Sequence, residues 1–266
     1  MARGLRVVGG SAPLLAATFL SALATWGTVV ALGADASLRY LVVEMAASPL
    51  HVFFDVDPIF RLGGTSTDAL VTTAALGAVR GVTFGLLLLL IAARLRGEPD
   101  LAAALRPLPK VALSLFAVYV AEVAAVLGTA ELLVGLLGPA SRLILPLVAL
   151  HFLAFVPVVV ALERTTARDG LVRGLRAARL PAGRHLLMMV FYFLFSLYLA
   201  SGTPPLAPAT PSILGWAFAL AVSFLHVSVT AALAYRWLAV RREPAVVQSA
   251  KALRGQGADA GGRRSR

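Results

Sequence analysis

The sequence predicts an all-α polytopic membrane protein, a six-transmembrane-helix bundle with N- and C-termini cytoplasmic. Three observations predict it. The 266-residue chain is 59% hydrophobic with a mean hydropathy of +0.85, far above a soluble domain of this length. It contains six apolar runs close to the roughly 20 residues that a helix needs to cross a bilayer core. Twenty of its 24 Lys and Arg fall in four of the seven segments between or beyond those runs, counting Arg236 near the end of the sixth run with the segment after it, and these four alternate with the other three. Translocation of short loops disfavours positive charge, so the basic segments are assigned to the cytoplasm.

The first run, about 11–33, follows a basic N-terminus (Arg3, Arg6). Ala34-Asp35-Ala36 resembles a signal-peptide cleavage site, but the run exceeds a signal core of about 7–15 residues, so a retained helix is expected. Ala34–Thr67 is the one long outer segment. Leu38–Ala47 within it is moderately apolar, and Pro49, Pro58, Gly63 and Gly64 punctuate the remainder as loop. The second run is 69–93, and the basic connection after it holds Arg94, Arg96, Arg106 and Lys110. The third, 111–137, is long enough that it must tilt or protrude. Gly138-Pro139-Ala140-Ser141 makes a tight outer turn before the fourth run, 143–162. Six Arg follow between Arg164 and Arg184. The fifth run, 186–201, is the shortest and is rich in aromatics, and the stretch Gly202–Pro211 after it has four prolines and no charge, as in a stiff outer loop. The sixth run is 213–240, and eight Lys and Arg lie from Arg236 onward. Residues 1–242 thus form one transmembrane domain, and 243–266 read as a disordered basic cytoplasmic tail.

A net charge of +11 and a pI near 11.3 would suggest nucleic acid in a soluble protein. Here topology explains the basic residues, together with the anionic inner leaflet, where each Lys or Arg is worth about 1 kcal/mol. The expected partners are the lipid bilayer and its anionic lipids, with a protein partner or a second copy left open and no nucleic acid. The absence of Cys removes disulfides, thiolate metal sites and Cys nucleophiles, and leaves the redox compartment undetermined.

Ionisable residues in hydrocarbon are the strongest functional pointers in a membrane sequence. Counted inward from the predicted helix ends, Arg80, Glu122, His151 and His226 fall near mid-depth. An unpaired charge there costs at least roughly 2.5–3.5 kcal/mol, so Arg80 and Glu122, on consecutive antiparallel helices, are expected to pair. The four residues read either as a polar site of a transporter or proton relay, or as a structural ion pair with two locally satisfied histidines. The structural reading is preferred, because no other feature suggests a substrate path.

Thr73, Gly77, Gly81 and Gly85 form a small-residue ridge on the second helix. It reads as intramolecular packing, with Ala17, Ser21 and Ala24 of the first helix as one candidate partner, or as a homodimer face. Intramolecular packing is expected. Between the fourth and fifth runs, Leu171, Leu175 and Ala178 share one helical face and Arg173 and Arg176 lie on others, which predicts an amphipathic inner-surface helix ending near Pro181. Its Arg168, Arg173, Arg176 and Arg179 are the expected contacts to anionic lipid, unless they serve only to set topology.

Nothing specifies a reaction. His51, Asp55 and Asp57 match no metal-ligand signature, and no G-x-S-x-G or Walker A motif is present, so no metal, cofactor or catalytic residue is assigned.

Two stretches carry a resemblance. Glu163–Arg184 leaves a membrane helix through a Glu, runs an Arg-rich turn and re-enters the membrane; Ala234–Pro244 (AYRWLAVRREP) closes the last helix with an aromatic, a Leu, paired Arg and a Glu. Both resemble the membrane domain fused to some bacterial glycerophosphodiester phosphodiesterases, and related stand-alone six-helix inner-membrane proteins of unknown function. An acidic residue expected after Tyr235 is replaced by Arg236, and no soluble segment is large enough for the phosphodiesterase domain. The resemblance implies a multi-pass inner-membrane module without hydrolase activity. The expected function is a non-enzymatic scaffold or accessory role in envelope or lipid-linked processes. The alternatives are a permease subunit whose ATPase is a separate chain, and a small intramembrane enzyme.

Overall fold

In a computed structural model of the chain, the described residues are 2–33, 66–138, 148, 151–179, 183–200 and 213–242. All regular structure among them is helical. In chain order the helices are α1 (Ala2–Gly9), α2 (Ala12–Ala31), α3 (Ser66–Arg96), α4 (Leu101–Leu105), α5 (Leu108–Leu137), α6 (Val156–Glu163), α7 (Ala167–Arg179), α8 (Gly183–Ala200) and α9 (Ile213–Val240). Four stretches are long and apolar enough to cross a bilayer: Ala12–Ala31, Thr67–Arg96, Leu101–Leu127 and Trp216–Val240. Two shorter apolar helices, His151–Glu163 and Leu186–Phe195, occupy the fourth and fifth predicted runs. Most of the predicted outer segments, with His51, Asp55 and Asp57, lie outside the described residues, as does the basic tail.

Local chemistry sets the helix ends. Pro13 starts α2, where its missing N–H leaves nothing unsatisfied. The hydroxyls of Thr18, Ser21, Thr25 and Thr28 donate to carbonyls one turn back at 2.6–3.1 Å, so the polar side chains of this apolar helix are satisfied within it. α3 stops at Gly97 (φ +67°), with Gly97 N–H bonded to Arg94 O and Glu98 N–H to Ala93 O; this left-handed position favours Gly and closes the last turn. Asp100 caps α4 by accepting from Ala103 N–H at 3.1 Å. Thr166 caps α7 through Asp169 N–H at 3.3 Å, while Thr165 Oγ1 donates to Asp169 Oδ2 at 3.1 Å.

α3 and α5 form the most extensive pair, and glycine decides how. A Cβ on Gly81 would lie 2.7 Å from the backbone oxygen of Ala112, and one on Gly77 would lie 2.8 Å from the Tyr119 ring and 3.0 Å from Phe116. Gly85 faces Leu108, Val111 and Leu115, so the register is antiparallel along the whole ridge. The ridge is therefore an intramolecular packing face, as expected, but its partner is α5 and not the small residues of α2. Because α5 occupies it, it is not open to a second copy. Thr73, at its end, returns its hydroxyl to Ala69 O at 2.7 Å.

α6 is the most enclosed helix, with every residue from Val156 to Leu162 buried. The chain turns at Arg164 (φ 51°) and α7 runs back along α6: a Cβ on Gly170 would collide with Val160 Cγ2, and one on Gly174 would lie 3.0 Å from the Val156 backbone. The buried face of α7 is Gly170, Gly174, Ala177 and Ala178, whereas Leu171 is exposed. Of the expected Leu171–Leu175–Ala178 face, only Ala178 is buried, and Leu175 is half-buried. Small residues four apart let two backbones close up, which the larger Leu side chains would prevent.

The apolar core encloses a set of polar side chains, and large apolar side chains face outward. Buried side chains include Thr18, Thr25, Thr72, Ser223, Ser228 and Thr230, while Leu187, Phe191, Leu113, Leu70 and Ile213 are exposed at 67–91%. Water would penalise that exposure, whereas a hydrocarbon environment does not.

Candidate functional site

The most polar point in the interior lies where α3, α5 and α6 meet. Arg80 is 1% exposed and Glu122 is 5% exposed, and both line one cleft with Phe84, Val118, Tyr119 and Pro157. The sequence builds it stepwise. Gly81 draws α5 against α3, which seals Arg80, its neighbour in the chain. Tyr119 packs its ring on Gly77, and Glu122, three residues on, faces the same side of α5. Pro157 supplies the third wall from the first turn of α6.

Arg80 and Glu122 thus line one cleft between α3, α5 and α6. The cleft has room for about one water molecule. It is too small for an organic substrate.

His151 and His226 are both buried. Neither is among the residues lining the cleft. His226, 1% exposed on α9, is hydrogen-bonded through Nδ1 to the Tyr192 hydroxyl of α8, with the two rings edge-on at 5.5 Å. The carbonyl of His226 also accepts from Thr230 Oγ1 at 3.0 Å. His151 is buried and stacks edge-on against Phe152 at 5.3 Å. Of the four predicted residues, Arg80 and Glu122 line the cleft, and His226 joins α9 to α8 through Tyr192. Tyr192 escaped the sequence reading, because an aromatic in an aromatic-rich helix gives no signal of its partner.

A second polar assembly joins the Arg-rich ends of α3, α6 and α9. Glu163 accepts from Trp237 Nε1 at 3.1 Å and from Arg241 Nη1 at 3.3 Å. Arg96 donates through Nη2 to Leu162 O, and Glu98 pairs with Arg96 at 3.3 Å and with Arg164 at 3.8 Å. The Trp237 bond to a carboxylate is the strongest of these, at about 1.5–3 kcal/mol, because Trp237 is 1% exposed; the exposed Glu98 pairs contribute at most about 1 kcal/mol each. The Glu163 and Trp237–Arg241 stretches singled out in the sequence thus meet in space.

Arg168, Arg176 and Arg179 are exposed on α7, and Arg173 is half-buried. Among the described residues no three His, Asp or Glu come together as metal ligands.

Comparison with protein-family models, curated proteins and solved structures finds no match for this chain. Its function is argued from the geometry above.

Proposed function

We propose that the protein is a non-enzymatic integral module of the bacterial inner membrane, a six-helix bundle with both ends cytoplasmic. It acts as a scaffold or accessory in envelope or lipid-linked processes, in contact with anionic lipid. The alternation of basic segments supports the orientation. In this reading the two shorter apolar helices, His151–Glu163 and Leu186–Phe195, complete the six crossings with the four long ones. The resemblance of Glu163–Arg184 and Ala234–Pro244 to the membrane domain of glycerophosphodiester phosphodiesterases supports the same class.

The observation that carries the non-enzymatic reading is the cleft. Its two charged groups lie within the main helix-packing contact, in a space for about one water, where they join helices and leave no room for a substrate. The test is to extract the full-length protein from its native membrane in a lipid-retaining polymer and identify what accompanies it. Anionic lipid, with or without a non-ATPase protein, is the expected result. A stoichiometric ATPase would overturn the reading in favour of a permease subunit. Turnover of a lipid-linked substrate that is lost in Glu122→Gln would overturn it in favour of an enzyme.

A further inference from the structure

Helix α7 starts at the Arg-rich end of the bundle and climbs back into it. Its start is fixed by the polar assembly there, where Arg96 donates to Leu162 O and Trp237 and Arg241 donate to Glu163. From that end α7 returns along α6, Gly170 facing Val160 and Gly174 facing Val156, with a Cβ on Gly174 only 3.0 Å from Val156 Cα. Val156 precedes Pro157, a wall of the cleft that Arg80 and Gly81 also line. Gly81 stands at the middle of the Thr67–Arg96 span, about 22 Å from Arg96 at 1.5 Å per residue. Gly174 is therefore level with the centre of α3, and the charged residues on either side of it lie near that depth.

The outward arc of α7 has two flanks. At 100° per residue, Arg168, Asp169, Val172, Arg176 and Arg179 fall within about 100°, and Leu171 and Leu175 lie beyond one edge of that arc. Arg168, Arg176 and Arg179 are exposed, Asp169 and Val172 are half-buried, and Leu171 is 38% exposed. Hydrocarbon accommodates the leucine flank. Charged side chains at that depth that protein does not enclose need water.

We propose that α6 and α7 form a re-entrant hairpin, and that the charged flank of α7 is one wall of a water-filled furrow running from the cytoplasm to the middle of the bilayer. Arg164, Arg168 and Arg176 mark its course from the Arg-rich end inward, and Leu171 turns the adjoining flank to acyl chains. The occupant of the furrow is water, and the inner leaflet beside α7 is thinned to admit it. This inference rests on the six-crossing membrane reading above and adds to it a route for water.

The test is thiol labelling of the full-length chain in membrane vesicles of both orientations. The chain has no Cys, so each single substitution supplies its only thiol. Val172→Cys and Arg176→Cys probe the furrow, and Val172→Cys keeps every arginine, which guards against a charge variant that fails to insert. Leu171→Cys probes the other flank. Val82→Cys, next to Gly81 at a position 50% exposed, marks hydrocarbon at the same depth, and Leu101→Cys, at a position 51% exposed at the start of α4, marks the cytoplasmic surface. With a charged, membrane-impermeant methanethiosulfonate, Val172→Cys and Arg176→Cys are expected to react from the cytoplasmic side within about 10-fold of Leu101→Cys, whereas Leu171→Cys and Val82→Cys react at least about 100-fold more slowly, because hydrocarbon suppresses the reactive thiolate. Nitroxides on Leu171→Cys and Val82→Cys should report the same depth by their exposure to oxygen and to a water-soluble relaxation agent. Labelling of the Val172 and Arg176 variants as slow as that of Val82→Cys, or only from the outer side, would overturn the furrow. Labelling of Leu171→Cys as fast as Val172→Cys, with its nitroxide at the depth of Leu101→Cys, would place the hairpin on the surface and overturn the re-entrant arrangement. Fast labelling of Val82→Cys would defeat the membrane reading itself, which separates that failure from failure of the furrow.

Discussion

Gly81→Leu is expected to abolish recovery of folded protein. The first added carbon would sit 2.7 Å from the backbone oxygen of Ala112, an atom held in the hydrogen-bonded ladder of α5 and unable to yield as a side chain tip would. Three further carbons have nowhere to go without separating α3 from α5. Overpacking of this kind typically costs about 1–3 kcal/mol and occasionally more, against a total stability of about 5–15 kcal/mol. Here it also opens the cleft beside Arg80, so the upper end or beyond is expected. Gly27 provides the control, since a Cβ there meets nothing within 4 Å. Gly27→Ala should be neutral or gain up to about 1 kcal/mol from helix propensity. The measurement is the monodisperse fraction of each variant in detergent by size-exclusion chromatography. Equal recovery of Gly81→Leu and Gly27→Ala would show that the close contact is not required.

The second large effect is at Arg80 and Glu122. Each single change to Ala leaves one charge in an apolar interior facing a cleft built for two. Removing one partner of a buried pair typically costs about 3–5 kcal/mol. The double change removes both desolvation costs and should recover much of the loss, by an interaction energy of at least about 1 kcal/mol in a double-mutant cycle. Additive losses would show that the cleft does not couple the two groups.

Much of this arrangement is legible in the sequence, for identifiable reasons. Long apolar runs and intramembrane charges are local signals, so α2, α3, α5 and α9 and the burial of Arg80, Glu122 and His226 follow from counting along the chain. Which helix meets which is not local. The glycine ridge of α3 announces a close neighbour but not its identity, and α5 rather than α2 fills it because Ala112 and the flat Phe116 and Tyr119 rings fit the groove. The hairpin of α6 and α7 had a signal that hydropathy hides: Gly170 and Gly174, four apart, mark a packing face within a segment dominated by arginine. The link from Glu163 to Trp237 and Arg241 joins residues more than 70 positions apart, and no spacing rule reaches across that distance. The bridge from His226 to Tyr192 was hidden for the same reason.

The orientation is the centre of the account, and a reporter fused near residue 175, in α7, tests it most directly. Fusions after residues 100 and 245 should report cytoplasm, and fusions near 55, 140 and 207 the outer side, but these results hold whether the chain crosses six times or only at its four long spans. The two cases part at residue 175. If His151–Glu163 and Leu186–Phe195 both cross, the arginines of α7 are cytoplasmic and the reporter at 175 reads cytoplasm, which is the predicted result. If only the four long helices cross, the reporter at 175 reads the outer side together with those at 140 and 207, and the six-helix arrangement is contradicted.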